Sequence, residues 1–204
     1  MRCLAVLSLV CPALIFAQEI KKDYYPDGKI KSEGMWSEGK KQGLWKFYYS
    51  EGSLNAEIFY KDDIPDSLST YYFRDGKAET RETWKNGTMN GLFQVYYTNG
   101  YLMSEGKYGE GLKEAEWKMY HTNGQIKKGG VYHNGMMQGL WKIWDENGIL
   151  IEESTMKDDL QDGFAKYYYS NGQVQYEGNY VSGKMKGEWR TYDEKGKLLK
   201  VKKY

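Results

Sequence analysis

Few residues of this sequence have side chains that could catalyse a reaction. The chain holds two histidines, His121 and His133, and each stands in a repeat column where other units carry tyrosine, phenylalanine or lysine. Substituted repeat positions of this kind predict structural residues, not a general base or a metal ligand. The two cysteines, Cys3 and Cys11, precede residue 18, and no serine–histidine–aspartate or glycine-rich phosphate motif is present. We therefore expect no catalytic residue, no cofactor and no metal ion.

Two loops gather carboxylates that could bind a hard cation. Residues 61–66 and 157–162 each contain three aspartates, and clustered carboxylate oxygens are the ligands that calcium prefers. Their spacing matches no EF-hand loop, and aspartate is also common in solvated turns. The pattern favours turns, with calcium binding as the alternative.

The strongest candidate for binding is a column that is aromatic in every unit of the repeat. Exposed tyrosine and tryptophan are typical hot spots of binding surfaces, and rings on every second strand would lie about 10 Å apart. Such a ladder could hold a partner protein or an extended glycan. Alternatively, the rings only pack across the strands over the aliphatic stems of lysine and glutamate. We define this aromatic row as Tyr48, Tyr72, Tyr96, Tyr120, Trp144, Tyr168 and Tyr192, with Tyr24 preceding it.

The elements that would position this row follow from an internal repeat. Turn glycines recur at an unbroken interval of 24 residues from Gly28 to Gly196, most of them after asparagine or aspartate. Such pairs favour the two-residue type I′ hairpin turn, in which both central residues have positive φ. The sequence therefore predicts an all-β fold: a single elongated, twisted antiparallel meander sheet of tandem hairpins, about eight repeats, over residues 18–204.

A two-residue turn at each tip fixes which residues of the two strands pair. The pairing places large residues opposite small ones on one face, as in Trp117 opposite Gly130, so that each ring would cover a glycine of its own hairpin. The other face pairs opposite charges, as in Lys46 with Glu57. Because a shift by one residue would destroy both patterns, we expect an aromatic face and a charged face that carries the aromatic row.

The first residues predict export. Arg2 is followed by an apolar run that ends at Phe16 and then by Ala17, which is the order of a cleaved signal peptide. The run is too short to span a bilayer comfortably. We expect a signal peptide over residues 1–17 and a mature chain without a transmembrane segment, located in the periplasm, on the outer surface or outside the cell. The alternative is an uncleaved N-terminal anchor.

The repeat pattern resembles a known family. The consensus Gly-x-Trp-x-x-Tyr-Tyr-x-Asn-Gly-x-Leu-x-x-Glu-Gly-x-Tyr-x-x-Gly is similar to the bacterial MORN-repeat variant, most clearly over residues 91–111 and 163–183. Repeats of the MORN type are generally known as protein-binding and membrane-juxtaposing scaffolds, and the bacterial variants are often labelled antitoxin-like or immunity-like partners of toxins. The resemblance implies a non-catalytic scaffold and transfers no catalytic residue.

Two units, residues 66–90 and 139–162, depart from this pattern. A ligand that every unit binds alike is therefore not expected. The departures are Ser69 in place of tryptophan, Arg81-Glu82 in place of Glu-Gly, and Asp63 and Asp159 in place of a loop glycine.

The sequence thus predicts an exported, non-enzymatic repeat protein that binds a protein partner. With 29 Lys+Arg against 28 Asp+Glu, the chain has no electrostatic reason to bind nucleic acid. The second hypothesis is a carbohydrate or cell-wall-binding module, because wall-binding hairpin repeats are also rich in aromatic residues and glycine.

Overall fold

The computed structural model describes residues 19–204, so the predicted signal peptide over residues 1–17 lies outside the described part. Within the described residues, seventeen antiparallel strands form one open sheet in which each strand pairs with its neighbours along the chain. β5 and β6 are the exception, because they follow one another against β4. The predicted all-β meander is confirmed. No helix within these residues has the length and apolar character that crossing a membrane requires. The strands are β1 (Glu19–Tyr24), β2 (Ile30–Ser37), β3 (Lys40–Tyr48), β4 (Leu54–Lys61), β5 (Ile64–Pro65), β6 (Ser67–Tyr72), β7 (Ala78–Lys85), β8 (Thr88–Tyr96), β9 (Leu102–Gly109), β10 (Leu112–Tyr120), β11 (Ile126–His133), β12 (Met136–Trp144), β13 (Leu150–Lys157), β14 (Leu160–Tyr168), β15 (Val174–Val181), β16 (Lys184–Tyr192) and β17 (Leu198–Lys203).

The hairpin tips have a different turn from the one that the Asn-Gly and Asp-Gly pairs predict. Between β3 and β4, the amide of Gly52 donates to the carbonyl of Tyr49 at 2.9 Å, and the amide of Tyr49 donates to the carbonyl of Ser53 at 2.9 Å. Gly52 has a φ of 103° and Glu51 before it has no positive φ; at the Asn99-Gly100 tip, Gly100 has a φ of 90° and Asn99 likewise has no positive φ. Each tip is therefore a type I turn followed by a left-handed glycine. The type I′ prediction is wrong here. The partner of Tyr48 is Leu54, which lies one residue closer to the tip than the partner that a type I′ turn would give.

Type I′ geometry occurs at the opposite edge, in the loops that join one hairpin to the next. Asn134 and Gly135 both have positive φ, 51° and 81°, and their flanking residues His133 and Met136 pair directly. The acidic loops have the same turn, with φ of 66° at Asp159. An aspartate there takes a conformation that glycine adopts more easily.

A left-handed residue also interrupts the first strand of most hairpins. Gly43 has a φ of 62° and Ala115 has a φ of 60°. A Cβ built at Gly43 has no atom within 4 Å, so the backbone conformation, not packing, explains the glycine. Tyr60 pairs with Gly43 as expected, but the expectation that its ring covers this glycine is wrong.

Ala115→Gly should therefore stabilise the protein. A left-handed conformation costs an L-residue about 1–2 kcal/mol, whereas glycine loses about 0.5–1 kcal/mol more entropy on folding. We expect a net gain of about 0.5–1 kcal/mol in the free energy of unfolding, measured by urea denaturation. The reciprocal control, Gly43→Ala, should lose a similar amount, and a less stable Ala115→Gly variant would contradict the assignment of strain.

The core of this single sheet is a set of tryptophans on the aromatic face. Around Trp117, the ring centroid of Phe93 lies 5.8 Å away and that of Tyr108 lies 5.3 Å away. Phe93 and Trp117 are two strands apart, so their rings converge over Gly106 on the strand between them. This convergence packs the rings of the aromatic face against one another and covers the tryptophans. Those no more than 4% exposed are Trp45, Trp117, Trp141 and Trp189.

Each of these tryptophans covers a glycine of the preceding hairpin. A Cβ built at Gly106 would lie 2.2 Å from the ring of Trp117, and one at Gly130 would lie 2.2 Å from the ring of Trp141. The predicted pairing of Trp117 with Gly130 is confirmed, but the prediction that its ring covers Gly130 is wrong. The indole leans the other way and its Nε1 donates to the carbonyl of Lys107 at 3.1 Å. The tryptophans therefore join consecutive hairpins.

The two residues of this contact change together along the chain. Where the residue on the preceding hairpin is glycine, the residue that packs on it from the next hairpin is tryptophan. Where the residue on the preceding hairpin has a side chain, the residue opposite it is smaller than tryptophan. This matching supports steric complementarity across each boundary between hairpins. The pairs are Gly34–Trp45, Ile58–Ser69, Glu82–Phe93, Gly106–Trp117, Gly130–Trp141, Ser154–Ala165 and Gly178–Trp189.

Candidate binding surface

The aromatic row lies on the face opposite the tryptophans, which we call the outer face. Its members are all half-buried, and each is the last residue of the first strand of its hairpin. The structure therefore brings the predicted site residues into one row. The predicted charge pairs lie on the same face: Lys46–Glu57 at 3.6 Å, Lys142–Glu153 at 2.7 Å and Lys166–Glu177 at 3.9 Å.

Most tyrosines of the row donate a hydrogen bond to a glutamate of the preceding hairpin. A hydrogen bond from a phenol to a carboxylate is charge-assisted and stronger than a neutral one. The row therefore ties consecutive hairpins together on the outer face, as the tryptophans do on the aromatic face. The bonds are Tyr48 to Glu33, Tyr72 to Glu57, Tyr120 to Glu105 and Tyr168 to Glu153, each at 2.7 Å, and Tyr192 to Glu177 at 2.8 Å.

The two hairpins without this glutamate have adapted contacts. Arg81 stands in the glutamate column and donates to the hydroxyl of Tyr96 at 3.2 Å, which in turn donates to Gln94 at 3.0 Å. Gly129 stands in the same column two repeats later, and there the row carries Trp144, which has no hydroxyl that could donate to a carboxylate. Packing and hydrogen bonding thus account for part of the row, while its role in binding stays a prediction.

The pKa values of the row show neutral phenols facing charged carboxylates. Burial raises the pKa of Tyr48 to about 12, and its bond to Glu33 acts in the same direction. The pKa of Glu33 is lowered, first by its bond to Lys22 and then by the bond from Tyr48. Burial and a glutamate partner likewise raise the pKa of Tyr120 and of Tyr168.

Tyr48 should consequently make the fold sensitive to alkali. Its pKa is about 12 in the folded protein, above the ordinary tyrosine value of about 10, so its contribution to stability is complete below about pH 10 and is lost as the pH rises toward about 12. In a titration followed by phenolate absorbance, Tyr48→Phe should remove one ionisation from the high-pH phase. Loss of an ionisation near pH 10 instead would show that Tyr48 is neither buried nor bonded to Glu33 in solution.

A second ladder of side chains joins the hairpin tips. It accounts for His121, whose Nε2 lies 2.9 Å from the carbonyl of Trp144 and must donate to it. His133 is exposed and contacts Glu114. The equivalent tip bonds are Tyr25 to the carbonyl of Tyr48 at 2.7 Å, Tyr49 to Tyr72 at 2.9 Å, Tyr97 to Tyr120 at 2.8 Å and Tyr169 to Tyr192 at 2.9 Å.

The carboxylates of the acidic loops accept hydrogen bonds from the preceding hairpin. Asp63 accepts from the amide of Lys41 at 2.9 Å, and Asp159 accepts from the amide of Met137 at 2.8 Å. These bonds agree with the interpretation of the loops as turns. Over residues 19–204, no group of three or more histidine, cysteine or acidic residues is arranged to hold a metal ion.

A row of exposed apolar residues lies beside the aromatic row, and the sequence analysis missed it. These residues stand four positions before each aromatic residue, so alternation along the strand places them on the same outer face. They are 41–51% exposed, and the lysines between the two rows gave this face its charged appearance. We define the outer apolar row as Leu44, Leu68, Leu92, Leu140 and Phe164.

The centre of the outer face has two adjoining depressions of about 270 and 280 Å³ that share Glu116 and Lys118 in their walls. They form where Glu116 interrupts the outer apolar row and where Gly129 replaces a glutamate. The second depression is bordered by Trp144 and Leu140. The second depression therefore touches both the aromatic row and the outer apolar row.

Comparison with solved structures gives matches to longer chains only at low similarity. The crystal structure of TcdB2-TccC3-Cdc42 matches at 13% identity and a TM-score of 0.22, covering 88% of this chain and 13% of that one. The alternansucrase ASR in complex with isomaltononaose matches at 15% identity and a TM-score of 0.20, covering 90% of this chain and 16% of that one. The chain thus spans less than a fifth of either. No curated protein sequence matches it.

The family comparison agrees with the hairpin boundaries. The model of the MORN repeat variant matches residues 20–38, 41–62, 113–134, 137–158, 161–182 and 185–204, which is more than half of the chain. The intervening residues 63–112 contain Ser69 and Glu82, where the contact between hairpins departs most from glycine and tryptophan. The chain belongs to the MORN repeat variant family.

Proposed function

We propose that this chain is a non-catalytic scaffold that binds a protein partner across its outer face. Tandem MORN repeats suggest a repeat-based binding scaffold. The observation that carries the finer proposal is the outer apolar row, whose members are 41–51% exposed beside the aromatic row. Extended exposed apolar surface rimmed by charged residues is typical of protein interaction sites.

The bonds between hairpins favour such a role. Because Tyr48, Tyr120 and their equivalents hold the glutamates of the preceding hairpin, the outer face loses little conformational freedom when a partner binds. Binding by a preorganised surface avoids part of the entropy cost of association. The hydroxyls are already engaged, so the aromatic row would offer ring edges and faces to a partner, not hydrogen-bond donors.

Trp144 is the best candidate for the central anchor. Its ring borders the depression beside Leu140, and tryptophans at the centre of an interface are typical hot spots. We propose that the partner places an apolar side chain in this depression.

The place of action is part of this proposal. The signal-peptide pattern of residues 1–17 supports export to the periplasm, the outer surface or the exterior of the cell. The family resemblance supports a partner role of the antitoxin or immunity type, in which the bound protein is a toxin. A glycan that stacks on the aromatic row is the competing ligand.

Affinity capture from a cell-envelope extract tests the proposal. Wild type should retain one stoichiometric protein, and the double variant Leu92→Ser/Leu140→Ser should bind it at least 10-fold more weakly, with its fold confirmed by circular dichroism. The control is Leu112→Ser/Leu160→Ser, which makes the same change at leucines that are 48% and 50% exposed at the first positions of β10 and β14. Equal binding by both variants would exclude the outer apolar row, and retention on purified wall glycan without a protein partner would favour the glycan hypothesis.

A further inference from the structure

Glu82 is an acidic residue on the aromatic face. It stands in the column that carries glycine at Gly34 and Gly106, within the segment that the family model does not match. Its carboxylate is half-buried and accepts a hydrogen bond from Nε1 of Trp84 at 3.0 Å. Among residues 19–204 it forms no ion pair with a lysine or arginine. A carboxylate withdrawn from water without a cation is costly.

The neighbours of Glu82 supply a hydroxyl and two rings. Ser69 pairs with it on one side and Phe93 on the other. Ser69 is 0% exposed, and its Oγ has no hydrogen-bond partner in the described part of the chain. The ring of Tyr108 packs edge-on against Phe93 with centroids 5.2 Å apart. A carboxylate, a buried hydroxyl and aromatic rings therefore lie together.

Other hairpins show what fills this kind of surface. The ammonium group of Lys113 lies 4.4 Å from the ring centroid of Trp117 and 5.0 Å from that of Tyr132, a cation–π arrangement. Lys41 takes the same position in its own hairpin. The equivalent position before Phe93 and Tyr108 is Met89, and in residues 19–204 no cation lies over either ring. The chain thus places an ammonium group among the rings near Lys41 and Lys113, whereas near Phe93 and Tyr108 it places the carboxylate of Glu82.

The electrostatics around Glu82 agree with this geometry. Burial raises the pKa of Glu82. Burial, followed by the charges of Glu82 and Tyr60, raises the pKa of Tyr71 to about 12. A cation held beside Glu82 would lower both pKa values, because it would stabilise the charged forms.

We propose that the aromatic face at Glu82 is a binding site for an alkylammonium group, separate from the partner surface on the outer face. The ammonium group pairs with the Glu82 carboxylate and lies against the rings of Phe93 and Tyr108. Its compact charge suits one carboxylate beside two rings, as the ammonium group of Lys113 suits the rings of Trp117 and Tyr132. The group belongs either to a free amine or to a lysine side chain of a protein.

Titration with n-butylammonium, followed by NMR of the Phe93 and Tyr108 rings, tests the site. We expect saturable shifts that neutral n-butanol does not produce, and Glu82→Gln should weaken binding at least 10-fold. Glu188→Gln, which removes an exposed carboxylate from the same column as Glu116 but away from the outer-face depressions, should leave binding unchanged. Absence of saturable binding, or equal binding by Glu82→Gln, would overturn the proposal and leave the outer-face proposal standing.

A second variant tests the site without removing the carboxylate. Met89→Lys should place an ammonium of this chain over Phe93 and Tyr108, lower the pKa of Glu82 and abolish butylammonium binding. Met185→Lys makes the same change in the same column near Trp189 and should leave binding intact. Undiminished binding by a folded Met89→Lys variant would contradict the proposal. A lysine-containing peptide that binds at least 10-fold more tightly than butylammonium would identify the source as a protein, and equal affinity would identify it as a free amine.

Discussion

Trp141→Ala should lower the free energy of unfolding by about 3–5 kcal/mol. The side chain is 2% exposed, packs edge-on against Tyr132 with centroids 5.1 Å apart and donates from Nε1 to the carbonyl of Val131 at 3.3 Å. Its removal leaves a cavity in a sheet that has no second layer to fill it. The backbone of Gly130 would also be exposed to water.

Urea denaturation measures the loss, and hydrogen exchange locates it. Because each hairpin contacts mainly its neighbours, amides of β11 to β13 should lose more protection than those of β3 and β4. The control, Lys46→Ala, removes an exposed ion pair with Glu57 at 3.6 Å and should cost less than about 1 kcal/mol. Similar losses in the two variants would mean that the faces are assigned wrongly.

Gly130→Ala should cost about 1–3 kcal/mol, because the added methyl group must displace the ring of Trp141 or the backbone. The Cβ would lie 2.2 Å from that ring. The neighbouring glycine is a matched control. At Gly129 an added Cβ meets its closest atom at 3.5 Å, so Gly129→Ala should be neutral or stabilise by about 0.4–1 kcal/mol through the unfolded state.

A double-mutant cycle separates this contact from other effects of the methyl group. In the Trp141→Ala background, Gly130→Ala should cost little, since the ring that it displaces is gone. The coupling energy should then approach the full cost of Gly130→Ala alone. Additive losses would show that the methyl group disturbs the strand itself and not the contact between hairpins.

The sheet and most of its pairing follow from local patterns, which is why the sequence predicts them. The cross-strand pairs of Lys46 with Glu57 and of Trp117 with Gly130 occur as expected, because alternation and the repeat interval constrain them within one hairpin. The turn type cannot be predicted from these patterns, because a left-handed glycine occurs both in a type I′ turn and in a type I turn with a bulge. The direction in which the Trp117 ring points cannot be predicted either, because a glycine lies on each neighbouring strand. The hydrogen bond from its Nε1 to the carbonyl of Lys107 holds the ring over the preceding hairpin.

The candidate surface was predictable in its alignment and not in its contacts. A shared repeat column suffices to place Tyr48 and Trp144 in one row. The bond from Tyr48 to Glu33 crosses between hairpins and depends on their offset, which no pattern within one hairpin contains. The outer apolar row was not predicted because its residues share a face with charged ones. Leu44, Lys46 and Tyr48 are alternate residues of one strand, and the charges dominate the pattern of this face. One sequence signal did indicate contacts between this face's columns: Arg81 and Gly129 interrupt a column that is otherwise glutamate.

The matched contacts between hairpins also determine where a unit can be gained or lost during evolution. A deletion of residues 49–72, with both ends at hairpin tips, removes Ile58 and Ser69 together and leaves every other pair intact. A deletion of residues 63–86, with both ends in the loops between hairpins, has the same length but brings Ile58 against Phe93, partners that never met. The segment inherited as a unit therefore runs from one hairpin tip to the next. It is offset by about half a repeat from the structural hairpin, which runs from one loop between hairpins to the next.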